Sequence, residues 1–218
     1  MSQVAIVDLG TGNLRSVEQA IKHVAPDQQV VITADPKVVV QADRMVLPGQ
    51  GAVGTWFKAY QQQGLDAAVR DALKHKPCFA ICVGMQALFE YCAEDGGMNG
   101  LGLFSGRVEH FAQHHLTNDV DTTARVKIPH MGWNIVQQVQ EHPVWHKIDD
   151  EARFYFLHSY AATSNDMSCT LGLSDYHQRF IAMVGRDNVV ATQFHPEKSH
   201  ENGLQLLRNF VRWDGQVS

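Results

Sequence analysis

Phe79-Ala80-Ile81-Cys82-Val83-Gly84-Met85-Gln86 decides how the rest of the chain is read. Pro77 opens an apolar run, Cys78 to Ile81, of strand length, and a helix is predicted from Val83 to Tyr91, so the backbone must bend abruptly at Cys82. This is the geometry of a nucleophile elbow, with sulfur in place of a hydroxyl. Strand and helix approach closely around such a bend, which calls for small neighbours, and Ala80 and Gly84 supply them. At a helix amino terminus the thiolate, the reactive form, is favoured over the thiol, and the Val83 amide is aimed as one oxyanion donor. Taken alone, the segment reads equally as a small buried cysteine in a core strand.

Upstream, β-rich runs alternate with segments of helical period, which predicts a parallel sheet with crossover helices. Val4 to Val7 is the first strand, and Leu14, Val17, Ile21 and Val24 mark one apolar helix face after the Asp8-Leu9-Gly10-Thr11-Gly12-Asn13 turn. Val30 to Ile32 and Arg44 to Leu47 are further strands, and Leu65 to Lys74 is a helix. Pro48-Gly49-Gln50-Gly51 breaks the chain at a strand's carboxyl end, where α/β ligand sites form, so the peptide at Gln50 or Gly51 is the candidate second oxyanion donor. From about Gly106 the pattern changes to short strands, antiparallel or mixed: Glu151 to Thr163 is β-rich, and Phe180 to Val184 pairs with Val189 to Phe194 across Gly185-Arg186-Asp187-Asn188. Leu204, Leu207 and Val211 mark a closing helix. No repeat or linker divides the chain, so one mixed α/β domain over residues 1–218 is expected.

Composition narrows the function. With 218 residues, 44% hydrophobic and 19% charged, the chain is an ordinary globular one. Its 18 Lys+Arg against 23 Asp+Glu leave no basic stripe for nucleic acid. Cys78 to Met85, the densest apolar run, falls far short of the roughly 20 residues of a membrane span, and no signal peptide is legible, so a cytoplasmic protein is expected. The four cysteines form no CxxC, and neither a disulfide framework nor a zinc site is expected; His114-His115 is the nearest thing to a metal cluster. Gly10-Thr11-Gly12 lacks the third glycine of a dinucleotide fingerprint, which excludes NAD, and no cofactor is expected.

A nucleophilic cysteine needs a base. Of the 12 histidines, His195 ends the run Val189 to Phe194, Pro196 keeps it extended, and Glu197 two residues on points the same way, suited to orient the imidazole. By itself His195-Pro196-Glu197 also reads as a strand-end histidine beside a solvated carboxylate.

Together, the Cys82 elbow with Gly84 and Gln86, the Pro48 to Gly51 loop and His195-Pro196-Glu197 resemble the class I (triad) glutamine amidotransferases, in order and over the whole chain. Asp8 to Leu14, Pro129-His130-Met131-Gly132-Trp133-Asn134 and Tyr155-Phe156-Leu157-His158-Ser159-Tyr160 are similar to the glutaminase subunits of imidazole glycerol phosphate synthase. The resemblance implies a flavodoxin-like, mainly parallel sheet flanked by helices. It implies that Cys82 attacks the L-glutamine amide, His195 moves the proton and Glu197 orients His195, and that Gly51, Gln86, Glu94, Ser159 and Tyr160 hold the amino-acid end. It also implies a heterodimer with a (β/α)8 cyclase subunit that uses the ammonia to form imidazole glycerol phosphate and an aminoimidazole carboxamide ribotide in histidine biosynthesis.

Ala80, where the family commonly has glycine, and Gln50, a long side chain in the oxyanion loop, are departures. The glycine-rich Pro48 to Gly54 loop is the candidate switch between low activity alone and high activity with the partner. Pro129 to Asn134 reads either as a buried Trp133 with a tight Gly132 turn or as a site-flanking, subunit-facing segment. Competing functions are a glutaminase feeding another synthase, such as that for pyridoxal phosphate, a cysteine hydrolase of another amide, and a non-catalytic or metal-binding subunit.

Overall fold

The computed structural model describes residues 2–112 and 127–217. His114 and His115 therefore lie outside the described residues. The amino-terminal half alternates as its sequence pattern requires: β1 (Gln3–Val7), α1 (Leu14–Val24), β2 (Gln29–Thr33), α2 (Pro36–Gln41), β3 (Arg44–Gly49), α3 (Val53–Gln62), α4 (Asp66–His75) and β4 (Cys78–Cys82). All five residues of β4 are buried, as expected of a central strand in a helix-covered parallel sheet. The Asn13 side chain accepts from the Ser16 amide at 3.3 Å and caps α1, whose Val17, Ile21 and Val24 form the buried face.

After β4 come α5 (Val83–Gln86), β5 (Phe89–Cys92), β6 (Met98–Asn99), β7 (Phe104–His110), β8 (His130–Gln138), β9 (Ala152–His158), β10 (Tyr160–Thr163), β11 (Thr170–Asp175), β12 (Arg179–Arg186), β13 (Val189–Thr192) and α6 (His200–Arg212). The sheet runs β2-β1-β3-β4-β13-β12-β10-β7-β5-β6. From β2 to β13 the pairs are parallel; β13–β12, β12–β10 and β10–β7 are antiparallel. β13 thus joins the two halves. Its hairpin with β12 is the predicted one, closing over Asp187 and Asn188 with Asp187 at φ +51°. Phe79 of β4 stacks on Phe210 of α6 at 5.2 Å between ring centres, seating the closing helix on the central strand.

The helix predicted from Val83 to Tyr91 is instead one turn, α5, followed by β5. Phe89 to Cys92 is rich in β-formers, and its ladder with β7 and β6 gives its backbone a tertiary partner that an isolated helical reading ignores. This changes the electrostatics of the elbow. Four residues align few peptide dipoles, so the helix-terminus argument for the Cys82 thiolate loses most of its weight.

Candidate active site

Three parallel strands deliver the site at their carboxyl ends. In register, Gly49 of β3 lies beside Cys82 of β4, and Thr192 of β13 lies beside Ile81. The segments that leave these ends, Gln50-Gly51, Val83-Gly84 and Gln193-Phe194-His195, therefore converge, at the edge where α/β sheets bind ligands.

Cys82 is the elbow: φ is +53° and ψ −108°, a conformation costly for a residue with a Cβ, and the side chain is buried. Gly84 is obligatory, because a Cβ there would overlap the carbonyl oxygen of Leu47. Ala80 sits in the buried β4 without a positive φ, so its methyl is not strained.

His195 Nδ1 meets Glu197 Oε1 at 2.9 Å, and both side chains are almost fully buried. The predicted partnership holds by a different route. Pro196–Lys198 is a 3-10 turn rather than extended chain, and the turn swings Glu197 back under the imidazole. β9 clamps it: the His195 amide donates to the Tyr155 carbonyl at 2.9 Å, and Ser199 Oγ accepts from the Tyr155 amide at 2.9 Å while donating to the His195 carbonyl at 2.6 Å. Burial alone disfavours the imidazolium, but the Cys82 and Glu197 charges outweigh it and raise the His195 pKa. His195 Nε2 makes no formed hydrogen bond, so its coupling to Cys82 is electrostatic at a looser distance, as in many catalytic pairs without substrate.

A cavity of about 340 Å³ opens beside Cys82, within the range of small-molecule sites. Its lining brings together Gln50, Gly51, Val83, Gln86, Glu94, Ser159 and Tyr160, every sequence-predicted contact outside the triad. His195 and Glu197 line instead a small void with Gly12, Asn13 and Gln50, the last of which also lines the cavity. Glu94 Oε2 accepts from the Val53 amide at 2.8 Å, and burial raises its pKa. Gln86 commits its Nε2 to the Tyr160 carbonyl at 3.2 Å and to Gln193 Oε1 at 3.0 Å, leaving its oxygen for the cavity.

The Pro48 to Gly54 loop is less free than its glycines suggest. Pro48 belongs to β3, its carbonyl accepts from Trp56 Nε1 at 3.1 Å, and Val53 and Gly54 already belong to α3. A Cβ on Gly49 would press within 3 Å of Trp56, Val83 and the Gly84 nitrogen. Only Gln50 to Ala52 can re-orient, with Gly51 at φ +85° in open space. Trp56 and Gln193 were not anticipated from sequence; a polar residue one position beyond a wholly buried strand was the available signal for Gln193.

Trp133 is 42% exposed rather than buried, and Met131 and Ile135 beside it on β8 are 60% and 39% exposed. On the other face of the same strand His130 and Val136 are buried. Among the described residues no group of three His, Cys, Asp or Glu is placed to hold a metal ion, and no helix is long and apolar enough to cross a membrane.

Three buried histidines predict acid sensitivity. Burial lowers His130 and His142 to about 4 and His158 to about 3. Below the ordinary histidine pKa the unfolded chain then binds more protons than the folded one, so stability falls as pH drops. Each histidine costs about 1 kcal/mol between pH 7 and pH 5.5. His195, with its raised pKa, opposes this in part. The urea midpoint is expected to fall over that interval; a constant or rising midpoint contradicts the assignment.

A family model described as glutamine amidotransferase class-I matches residues 5–213. The chain belongs to the class-I glutamine amidotransferase family. Among curated relatives of this amidotransferase, "Imidazole glycerol phosphate synthase subunit HisH" of Chromobacterium violaceum is 47% identical over 216 residues, covering 99% of this chain and all of the relative. The subunit of the same name from Dechloromonas aromatica is 48% identical over 210 residues and 96% of each chain. The fold is that of solved amidotransferases: a crystal structure of a glutamine amidotransferase matches with TM-score 0.69 at 16% identity over 95% of this chain and 96% of that one. A glutamine amidotransferase from Thermotoga maritima matches with TM-score 0.58 at 14% identity over 90% of this chain and 76% of that one.

Proposed function

We propose that this amidotransferase is the glutaminase subunit of imidazole glycerol phosphate synthase, that residues 1–218 act as one glutaminase domain, and that it hands ammonia to a (β/α)8 cyclase subunit. The observation that carries the chemistry is Cys82 on a strained elbow opposite a buried His195–Glu197 pair at 2.9 Å. The thiolate attacks the glutamine side-chain carbonyl, and the charge on oxygen is met by the Val83 amide and the Gln50–Gly51 peptide. His195 protonates the departing ammonia, a thioester forms, and water cleaves it to glutamate while Glu197 keeps the ring aligned.

Gly51, Gln86, Glu94 and the backbone at Ser159 and Tyr160 receive the amino-acid end. With Gln86 nitrogen already committed, its oxygen and the Glu94 carboxylate suit the substrate ammonium. Full-length identity near 47% to subunits named for imidazole glycerol phosphate synthase supports that synthase over another. The exposed Met131, Trp133 and Ile135 form an apolar row suited to the partner subunit.

The test is glutamate release from L-glutamine by the chain alone, with the cyclase subunit, and with the cyclase plus its ribulosyl ligand. Release that rises sharply with partner and ligand is expected. Equal release in all three conditions overturns the pathway assignment. Gly51→Ala, a change with space for its methyl but strain at positive φ, is expected to reduce the partner's stimulation if the Gln50–Gly51 peptide is the switch.

A further inference from the structure

Gln193 follows β13 and is completely buried, so its amide must find partners inside the protein. One partner is the sulfur: Gln193 Nε2 lies 3.6 Å from Cys82 Sγ. Which end of the amide faces the sulfur is decided by a chain of groups with no choice of role. The Tyr160 carbonyl can only accept, so Gln86 must present its NH2 there, at 3.2 Å. The second Gln86 N–H then donates to Gln193 at 3.0 Å, which makes the receiving atom Gln193 Oε1. Gln193 is left with its NH2 turned to the sulfur.

The same carbonyl is held from the other side by His158 Nδ1, at 2.7 Å, which must be the protonated nitrogen. His158 Nε2 is then an acceptor, and His130 Nδ1 donates to it at 3.0 Å. The chain is therefore anchored in β8 and β9 and cannot reverse without leaving a buried group unpaired.

Beyond Gln193 and the His195 to which it is coupled, the sulfur also meets the Leu157 carbonyl, 3.9 Å away, which accepts only and so suits an S–H. Gln193 is the opposing influence: an N–H donor suits S⁻ and gains little from S–H. We propose that Gln193 is a further catalytic residue, an amide donor that stabilises the Cys82 thiolate before attack and again when the thioester is cleaved. In that second step water gives a proton to His195 and adds to the thioester carbonyl, the C–S bond breaks, its electron pair returns to sulfur, and glutamate leaves. The charge appears where Gln193 already points. This role rests on Cys82 being the nucleophile.

The test compares the full chain with Gln193→Met, which fills similar space without a donor. The readout is the pH midpoint of Cys82 alkylation by iodoacetamide, followed by peptide mass, together with kcat and KM for glutamate release in the complex with the cyclase subunit. Titratable groups sharing this environment are His195, with Glu197 behind it, and His158 and Glu94 on the cavity wall. The midpoint is expected to rise by about one pH unit and kcat to fall about tenfold or more with KM little changed. An unchanged midpoint and kcat in a folded variant overturns the proposal.

If Gln193→Met does not fold, the unsubstituted chain decides. The Gln193 side-chain amide resonance in 1H–15N spectra is expected to shift with the Cys82 alkylation midpoint and to lose that shift in Cys82→Ala, and indifference to Cys82 overturns the role. Glutamate release that survives Cys82→Ala refutes the nucleophile itself. Inactive Cys82→Ala beside an unaltered Gln193→Met refutes only Gln193.

Discussion

Cys82→Ala is expected to lower glutamate release by about 10⁴-fold or more, while the protein stays folded. The size follows from the two-step chemistry: without sulfur no thioester forms, and water must attack an unactivated amide. Neither of the other buried cysteines substitutes. Burial pushes the Cys78 thiol far above its ordinary pKa and Cys92 to about 11, so both stay protonated, and neither lines the cavity. The truncation is small, and alanine keeps the Cβ and with it the strain of the elbow, so thermal stability is expected to change little. Glutamate release with the cyclase partner present, beside a melting curve, checks both halves. Residual activity above a few per cent in a folded protein rules out Cys82 as nucleophile.

Gly84→Ala is expected to be the most damaging of the one-carbon changes at the site. The added methyl would occupy the position of the Leu47 carbonyl oxygen, and that carbonyl belongs to β3, whose Leu47 is fully buried and registered against Ala80. Backbone on both sides must move, so a cost of about 3 kcal/mol or more is expected. The Val83 amide moves with it. Gly51→Ala is the control, since its methyl meets nothing within 4 Å and its φ of +85° carries a penalty of only about 1–2 kcal/mol. Urea unfolding of the two variants should separate them by at least about 1 kcal/mol. Equal midpoints would mean that the close approach at Gly84 can relax.

Local rules carried the sequence reading where one segment holds both the signal and its cause. The apolar run before Cys82 and the small residues around it announced the elbow, and the observed φ of +53° is its consequence. His195 and Glu197 were legible for the same reason, although a 3-10 turn rather than an extended strand unites them. The helix expected from Val83 to Tyr91 failed because Phe89 to Cys92 answers to strands far along the chain, and local periodicity does not contain those strands. Trp133 stayed open in the sequence for the same reason: its segment reads either as core or as subunit-facing, and only the pairing of β8 with β9 and β11 determines that its face points outward.

The sequence alone determined the α/β alternation and the family and singled out Cys82 and His195 as the candidate nucleophile and base, because each motif behind these readings rests on residue types within a few positions of one another. The tertiary structure decided what those residues meet. Gln193 and Gln86 are 107 residues apart, and Tyr160 and His158 arrive from another part of the sheet, yet they form one hydrogen-bonded chain ending at sulfur. No local propensity encodes such a chain. It exists because β13 lies beside β4 in register, bringing a buried amide to the cysteine's side, where an unsatisfied polar group is too costly to leave alone.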